Sequence, residues 1–366
     1  MNPMPSSMML IGVGGAGGAM VRRIVESYGH DVRAVIIDTD AMSGGGGNVQ
    51  FSLLGGNRLA GRGTGGQPPS ARAAFQDDPS VIDPMLEGVR TAVVVTALGG
   101  GTGGGASGEL LKHLHTLGIT TLIFATLPFS FEGEARSSSA RAVVGPIEQN
   151  ADVSVFLRLD DLVSGTDNMK EALDRAISTV ASGVMLLWRL VDRPGYIMLD
   201  AERLHRLLAG RGRARFAVAT ASGSDRANEI LASFAANPRL LRDGDSSSRV
   251  RSVLLGILAG DDLRLSEIAA ISSGITATVG GDSALELGTV NDEETFSGVI
   301  SAVILVFDEV SSAPRHNDAP PATRRAAAEH DALSGDQRFR NAERTLWNGE
   351  DLDIPTYIRR QLTLDR

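Results

Sequence analysis

Two glycine-rich segments, each set between an apolar run and a helical stretch, constrain this chain more than any other feature. Met8–Val13 is a short apolar run that ends in Gly14-Gly15-Ala16-Gly17-Gly18, and Ala19–Ser27 reads as helix. A second apolar run, Val32–Ile37, closes on Asp38-Thr39-Asp40. Strand, glycine loop, helix and strand in that order open a parallel α/β sheet. Thr91–Leu98 repeats the device. It is a strand followed by six glycines flanking Thr102 in Gly99–Gly105, with Leu110–Leu117 helical beyond them. Thr120–Thr126 and Val153–Leu157 read as further strands, and Asn168–Val191 as one extended helix stopped by Pro194-Gly195. Later apolar runs (Phe216–Ala221, Val253–Ala259, Gly274–Val279 and Gly298–Phe307) build a smaller α/β domain.

Composition narrows the functions. The chain has 366 residues and a formal charge of −9, which argues against broad nucleic-acid binding. Cysteine is absent, so disulfides, thiolate metal sites and a cysteine nucleophile are excluded, in keeping with a cytoplasmic protein. No run approaches the ~18 apolar residues of a membrane helix. Met1–Val21 carries no charge, but no Lys or Arg leads it and glycines interrupt it, so it reads as a first strand and loop rather than a signal peptide. The basic run Arg211, Arg213 and Arg215 reads as a solvated face. The six histidines are scattered, and no metal site is expected. From Ser312 the sequence turns to Pro, Ala and polar residues, which reads as a flexible linker. The expected organisation is therefore a nucleotide-binding domain (1–167), a central helix (168–193), a second domain (194–311), a linker (312–347) and a C-terminal peptide (348–366).

Glycine lets backbone approach an anion closely, and the unpaired N–H groups and dipole of a helix N-terminus bind it. Gly12-Val13-Gly14-Gly15-Ala16-Gly17 fits G-x-G-x-x-G, and Asp38 ends the next strand about 20 residues on, as in a dinucleotide site. Such a site uses one glycine loop for its pyrophosphate. Two loops on two strands of one sheet suit a longer polyphosphate held from two sides.

Gly12–Gly18, Asp38–Ala41, Gly61–Pro68, Gly99–Gly105 and Leu127–Gly133 (LPFSFEG) occur in the order seen in the FtsZ/tubulin superfamily, which the chain resembles from about Met8 to Phe307. Thr220–Gly223 and Asp262–Ile268 match the family's second domain. The run from Gly349 to Gln361 is similar to the FtsZ C-terminal peptide: apolar Ile354, Tyr357 and Ile358 beside Asp353, Pro355 and Arg359 suit a groove with an acidic rim.

The resemblance implies that Gly14, Gly15, Gly17, Gly18, Gly65, Gly66, Gly101, Thr102 and Gly103 cradle the phosphates of GTP or GDP. Glu132 and Arg136 then contact the ribose, Asp38 is a further nucleotide-binding candidate as the acid a dinucleotide site sets on a ribose hydroxyl, and any Mg²⁺ arrives with the nucleotide. The sequence departs from the family at both ends of the site. Leu159 stands where a guanine-reading Asn is usual, and Leu173, Ile177 and Ser178 replace an aromatic and an Asn-Asp pair. Ser178 is a weak substitute for a carboxylate, so base recognition is expected to be weak. The catalytic loop reaches the next subunit's nucleotide in the family. It is here Met198-Leu199-Asp200-Ala201-Glu202-Arg203, keeping Asp200, offering Glu202 one position early, and carrying Arg203 in place of the last Asp.

The expectation is a head-to-tail filament protein with slow or lost hydrolysis, tethered to a membrane by an adaptor on its tail peptide. The alternative is a non-hydrolysing scaffold or regulator of another filament.

Overall fold

The computed structural model describes residues 7–28, 32–44, 49–163, 168–210, 212–237, 240, 250–279, 283–308, 346–347 and 350–351. The first half alternates strand and helix: β1 (Met8–Val13), α1 (Gly14–Tyr28), β2 (Ala34–Asp38), β3 (Gln50–Leu53), α2 (Gly56–Leu59), α3 (Pro68–Asp77), β4 (Thr91–Ala97), α4 (Gly101–Thr116), β5 (Thr120–Leu127), α5 (Glu134–Asn150) and β6 (Val153–Arg158). The long α6 (Met169–Asp192) and short α7 (Ala201–Leu208) lead into β7 (Gly212–Ser222), α8 (Arg226–Ala235), β8 (Val250–Ala259), α9 (Leu265–Val279), β9 (Ala284–Asn291), α10 (Glu293–Phe296) and β10 (Val299–Asp308).

The strands form one ten-stranded sheet in the order β3-β2-β1-β4-β5-β6-β7-β10-β8-β9. β1 to β6 are parallel, and β7 joins β6 through Val153–Gly212 and Ser154–Arg213. β10 runs antiparallel to β7 and β8, and β9 parallel to β8. The central strands are apolar on both faces because helices cover both. Met8, Leu10, Val93 and Val95 face a core shared with α1 and α6, while Met9, Ile11, Val94 and Ile123 face α3 and α4. A third core lies under α8 and α9.

Strand order reverses between β1 and β4, whose C-terminal residues Val13 and Thr96 are register partners. Ligands of doubly wound sheets settle in the crevice at such a switch point. Both glycine segments emerge there.

α6 begins with a reciprocal cap: the Glu171 N–H donates to Asn168 Oδ1 (3.0 Å) and the Asn168 N–H to Glu171 Oε2. Its 24 residues span roughly 36 Å. At the far end Tyr28 Oη donates to Asp192 Oδ2 (2.6 Å), which ties the last residue of α6 to the last residue of α1. Burial and this carboxylate push the Tyr28 phenol well above its ordinary value. Arg189 lies over the Tyr28 and Phe296 rings and pairs with Asp292. Mid-helix, Gly183 sits directly against the Phe216 ring of β7.

The structure corrects the sequence reading in places. The helices start earlier than expected, at Gly14 and Gly101, so most of the glycines form first helical turns rather than loops. β3, α3, α5 and β9 had no clear sequence signal, and the run Gly274–Val279 is the end of α9 rather than a separate apolar element. α3 hides behind Pro68-Pro69, which reads as loop but suits a first helical turn. The run of arginines fits a solvated face only in part, since Arg213 is exposed and Arg215 half-buried. Arg215 pairs with Asp308 (2.7 Å) and Arg213 lies over Phe156, while Arg211 is outside the described residues.

The chain divides into two units, 1–315 and 316–366. Of the second, an antiparallel hairpin is described, β11 (Leu346–Trp347) with β12 (Glu350–Asp351), straddling the expected linker boundary. The rest of the linker, and the peptide residues Asp353 to Arg359, lie outside the described residues.

Gly183→Ala forces a methyl group into the Phe216 ring and is expected to cost about 1–3 kcal/mol of stability. Phe216→Leu in the same chain should recover part of that loss in denaturant unfolding, because the two positions share one contact.

Candidate functional site

Contacts between segments close a ring at the switch point. A Cβ on Gly14 would lie 3.1 Å from the Gly103 nitrogen and 3.4 Å from Thr102 Cβ, so the starts of α1 and α4 touch. Gly14 has φ +75°, a conformation that favours glycine. Thr102 Oγ1 is 2.7 Å from Thr39 Oγ1, in the turn after β2. That turn is strapped to the glycine segment 61–66, since the Gly63 N–H donates to the Thr39 carbonyl and the Ala41 N–H to that of Gly61. The ring closes where Thr64 occupies the space a Cβ on Gly101 would need. Gly15, Gly65 and Gly66 are exposed and have no heavy atom within 4 Å of a would-be Cβ. They leave open backbone beside two helix N-termini, a cradle suited to a chain of anionic oxygens.

The remaining glycines serve packing. A Cβ on Gly17 would sit 2.5 Å from the Val95 carbonyl oxygen, and one on Gly18 would crowd Ile36 and Arg22. Gly103 lies against the Ala97 carbonyl. Asp38 is buried, and its Oδ1 accepts from the N–H groups of Thr39 (2.7 Å) and Asp40, so it shapes the turn from behind. Glu132 accepts from the Phe129 N–H (2.8 Å) and pairs with Arg136 (2.8 Å). Arg136 leans on the second glycine segment, where a Cβ on Gly99 would lie 2.8 Å from its Cγ. Asp160, after β6, holds the same region by accepting from the Ser130 N–H (2.9 Å).

The start of α6 exposes two apolar side chains among the charged Lys170, Glu171, Asp174 and Arg175. Met169 and Leu173, one turn apart, are exposed, Ile177 and Ser178 are half-buried, and Leu159 is buried in the core. No carboxylate replaces the missing base-reading pair at these positions.

Asp200 and Glu202 are not brought to the cradle. They follow the C-terminal end of α6, at the opposite end of the helix. Asp200 caps α7, its Oδ1 accepting from the Arg203 N–H at 2.6 Å. Glu202 turns toward its own chain and pairs with Arg90, just before β4, and with Arg206 (3.7 Å). Arg203 pairs with Glu286 of β9 (2.6 Å). The preceding segment hydrogen-bonds along β9, the Thr289 N–H donating to the Ile197 carbonyl (2.8 Å) and the Asn291 N–H to that of Pro194. It leaves Tyr196 and Met198 exposed at 67% and 64%. Among the described residues no cluster of three or more His, Asp or Glu suits a metal ion.

Sequence reasoning passed over Thr39, Thr64, Arg90 and Glu286. Thr39 stands inside the Asp38–Ala41 motif, where nothing local marks its contact with Thr102. Thr64 likewise stands inside the Gly61–Pro68 motif, and Arg90 and Glu286 act through contacts distant in sequence.

Residues 7–166 match the family described as Tubulin/FtsZ family, GTPase domain. The cell division protein FtsZ of Pseudomonas putida is 30% identical over 296 residues, which cover 80% of this chain and 74% of that one. Among solved structures, an empty FtsZ dimer from M. jannaschii superposes with a TM-score of 0.76 at 22% identity, covering 85% of this chain and 90% of that one. A GTPγS-bound protofilament of CetZ2 from Haloferax volcanii gives 0.69 at 22% identity, covering 88% and 99%.

The two classes of glycine separate in a stability measurement. Gly17→Ala should lower unfolding stability by about 1–3 kcal/mol. Gly15→Ala should leave it unchanged or raise it by up to about 1 kcal/mol, because the methyl group meets open space within a helix. Equal losses in denaturant melts would contradict this division of roles.

Proposed function

The chain belongs to the FtsZ/tubulin superfamily, and on that premise we propose that it assembles head-to-tail filaments with a guanine nucleotide between successive subunits, hydrolysing it slowly or not at all. One observation carries this reading: the cradle and the Asp200 loop occupy opposite ends of a helix roughly 36 Å long. A single copy cannot bring them together, whereas a second copy stacked end on end does. Contacts of that heterologous kind extend into open filaments. Exposed apolar side chains at both ends support it: Met42, Phe131, Met169 and Leu173 near the cradle, and Tyr196, Ile197 and Met198 before α7.

The open backbone at Gly15, Gly65 and Gly66 fits the phosphates, with Thr102 and the first N–H groups of α1 and α4 as donors. With no dedicated cluster of acids among the described residues, a Mg²⁺ ion would be held chiefly by phosphate oxygens. Base reading is weak in this proposal because Ser178 and an apolar wall replace charged acceptors. Each lost charged hydrogen bond removes about 1.5–3 kcal/mol, so GTP should be preferred over ATP by less than roughly tenfold.

Slow hydrolysis follows from the loop. Asp200 is engaged at the α7 cap, Glu202 faces Arg90, and Arg203 holds a positive charge where the family places an acid. Glu202 is neutralised by its ion pair, and Asp200, half engaged at its cap, would act without the partner acid that helps orient a water in the family. The tail peptide from Asp353 to Arg359 is assigned to an adaptor that tethers the filament to a membrane. If nucleotide proves to be only structural, the chain acts instead as a scaffold on another filament.

Sedimentation of the full chain, with phosphate release measured alongside, tests the proposal. The expected result is nucleotide-dependent polymer with little turnover, and little change in turnover for Asp200→Ala. A chain that stays monomeric at saturating GTP contradicts the filament. Rapid release that rises with concentration and vanishes in Asp200→Ala contradicts the reading of the loop.

A further inference from the structure

Two hydroxyl chains leave the first turns of α4, and they end differently. In one, Ser107 Oγ donates to Thr96 Oγ1 (3.3 Å), and Thr96 donates to the Val13 carbonyl (3.2 Å). Every proton in that chain has an acceptor inside the protein, and the chain fastens the end of β1 to α4. The other chain is the Thr39–Thr102 pair, 2.7 Å apart. Neither hydroxyl has a further side-chain hydrogen-bond partner among the described residues, so one proton of the pair has no internal acceptor.

Burial decides which proton that is. Thr39 is fully sealed at 0% exposure, whereas Thr102, in the first turn of α4 beside the cradle, keeps 9%. If Thr102 donated inward, the sealed Thr39 proton would have no acceptor and no water, a costly arrangement for a buried donor. If Thr39 donates to Thr102, the remaining proton belongs to Thr102 and lies on the side that a ligand reaches. The missing acceptor is then an oxygen of that ligand.

We propose that Thr39 is a positioning residue for the polyphosphate: its hydroxyl donates to Thr102 Oγ1 and thereby turns the Thr102 proton outward to a phosphate oxygen. This rests on the nucleotide reading above and adds to it a residue that does not itself touch the ligand. A hydroxyl whose acceptor role is already filled from behind is a committed donor. It favours an anionic oxygen over water, which is donor and acceptor alike.

Calorimetric titration of the full chain with inorganic pyrophosphate and, separately, with GTP tests the proposal. Thr39→Val keeps the shape and removes the donor. It should weaken both ligands by roughly tenfold, the scale of one hydrogen bond to a charged group. Thr39→Ser should restore most of that affinity, which a simple packing role for the Thr39 methyl would not do. Thr39→Val added to Thr102→Val should cause little further loss, because Thr39 acts only through the Thr102 hydroxyl. Should Thr39→Val fail to fold, Thr39→Ala measured against Thr39→Ser supplies the same comparison. Unchanged affinity in Thr39→Val, or losses that simply add in the double variant, overturns the proposal while leaving the nucleotide reading intact. A wild-type chain that binds neither pyrophosphate nor GTP overturns both.

Discussion

The close approach of two helix starts at the strand-order reversal is the interaction on which the rest of the site depends. Gly14 at the head of α1 lies against Thr102 and Gly103 at the head of α4. Side chains at these positions would push the helices apart and separate their two sets of unpaired N–H groups. Glycine is required there for opposite reasons on the two sides. At Gly17 and Gly103 it lets helix backbone press against strand carbonyls, and at Gly15, Gly65 and Gly66 it leaves room beside the backbone for something else. The first set fixes where the helices start, and the second uses that fixed position.

α6 carries the consequence to the other end of the molecule. Its cap at Asn168 and its ties at Asp192 and Arg189 hold both ends, so the distance between cradle and Asp200 loop is set by helix length rather than by loop conformation. The loop is in turn pinned along β9 and by two ion pairs, Arg90–Glu202 and Arg203–Glu286. In the proposed filament, what one copy presents to another is therefore largely built before contact, which lowers the ordering cost of association.

Much of this was legible in the sequence, for definite reasons. The apolar strands, the long helix with its Asn168 start, and the two glycine segments announce themselves through composition over several residues. That the segments meet in space was an expectation of the parallel α/β pattern, and Gly14 against Gly103 bears it out. Elements with weak local signals did not show: β3 is short, and α5 carries Gly145-Pro146 in its interior. Side-chain roles were the least legible. Asp38 read as an outward acid, yet it turns back on its own backbone, and Glu202 read as a spare carboxylate, yet it is paired with Arg90. Such assignments depend on partners tens of residues away, and a single sequence carries no mark of them.

Hydrogen exchange of the full chain with inorganic pyrophosphate, which has no base or sugar, tests the central claim most directly. The account predicts joint protection of backbone amides in three separate segments, 14–18, 63–66 and 101–104, since they line one cradle. Protection confined to one segment, or protection only when a nucleoside is attached, would contradict it.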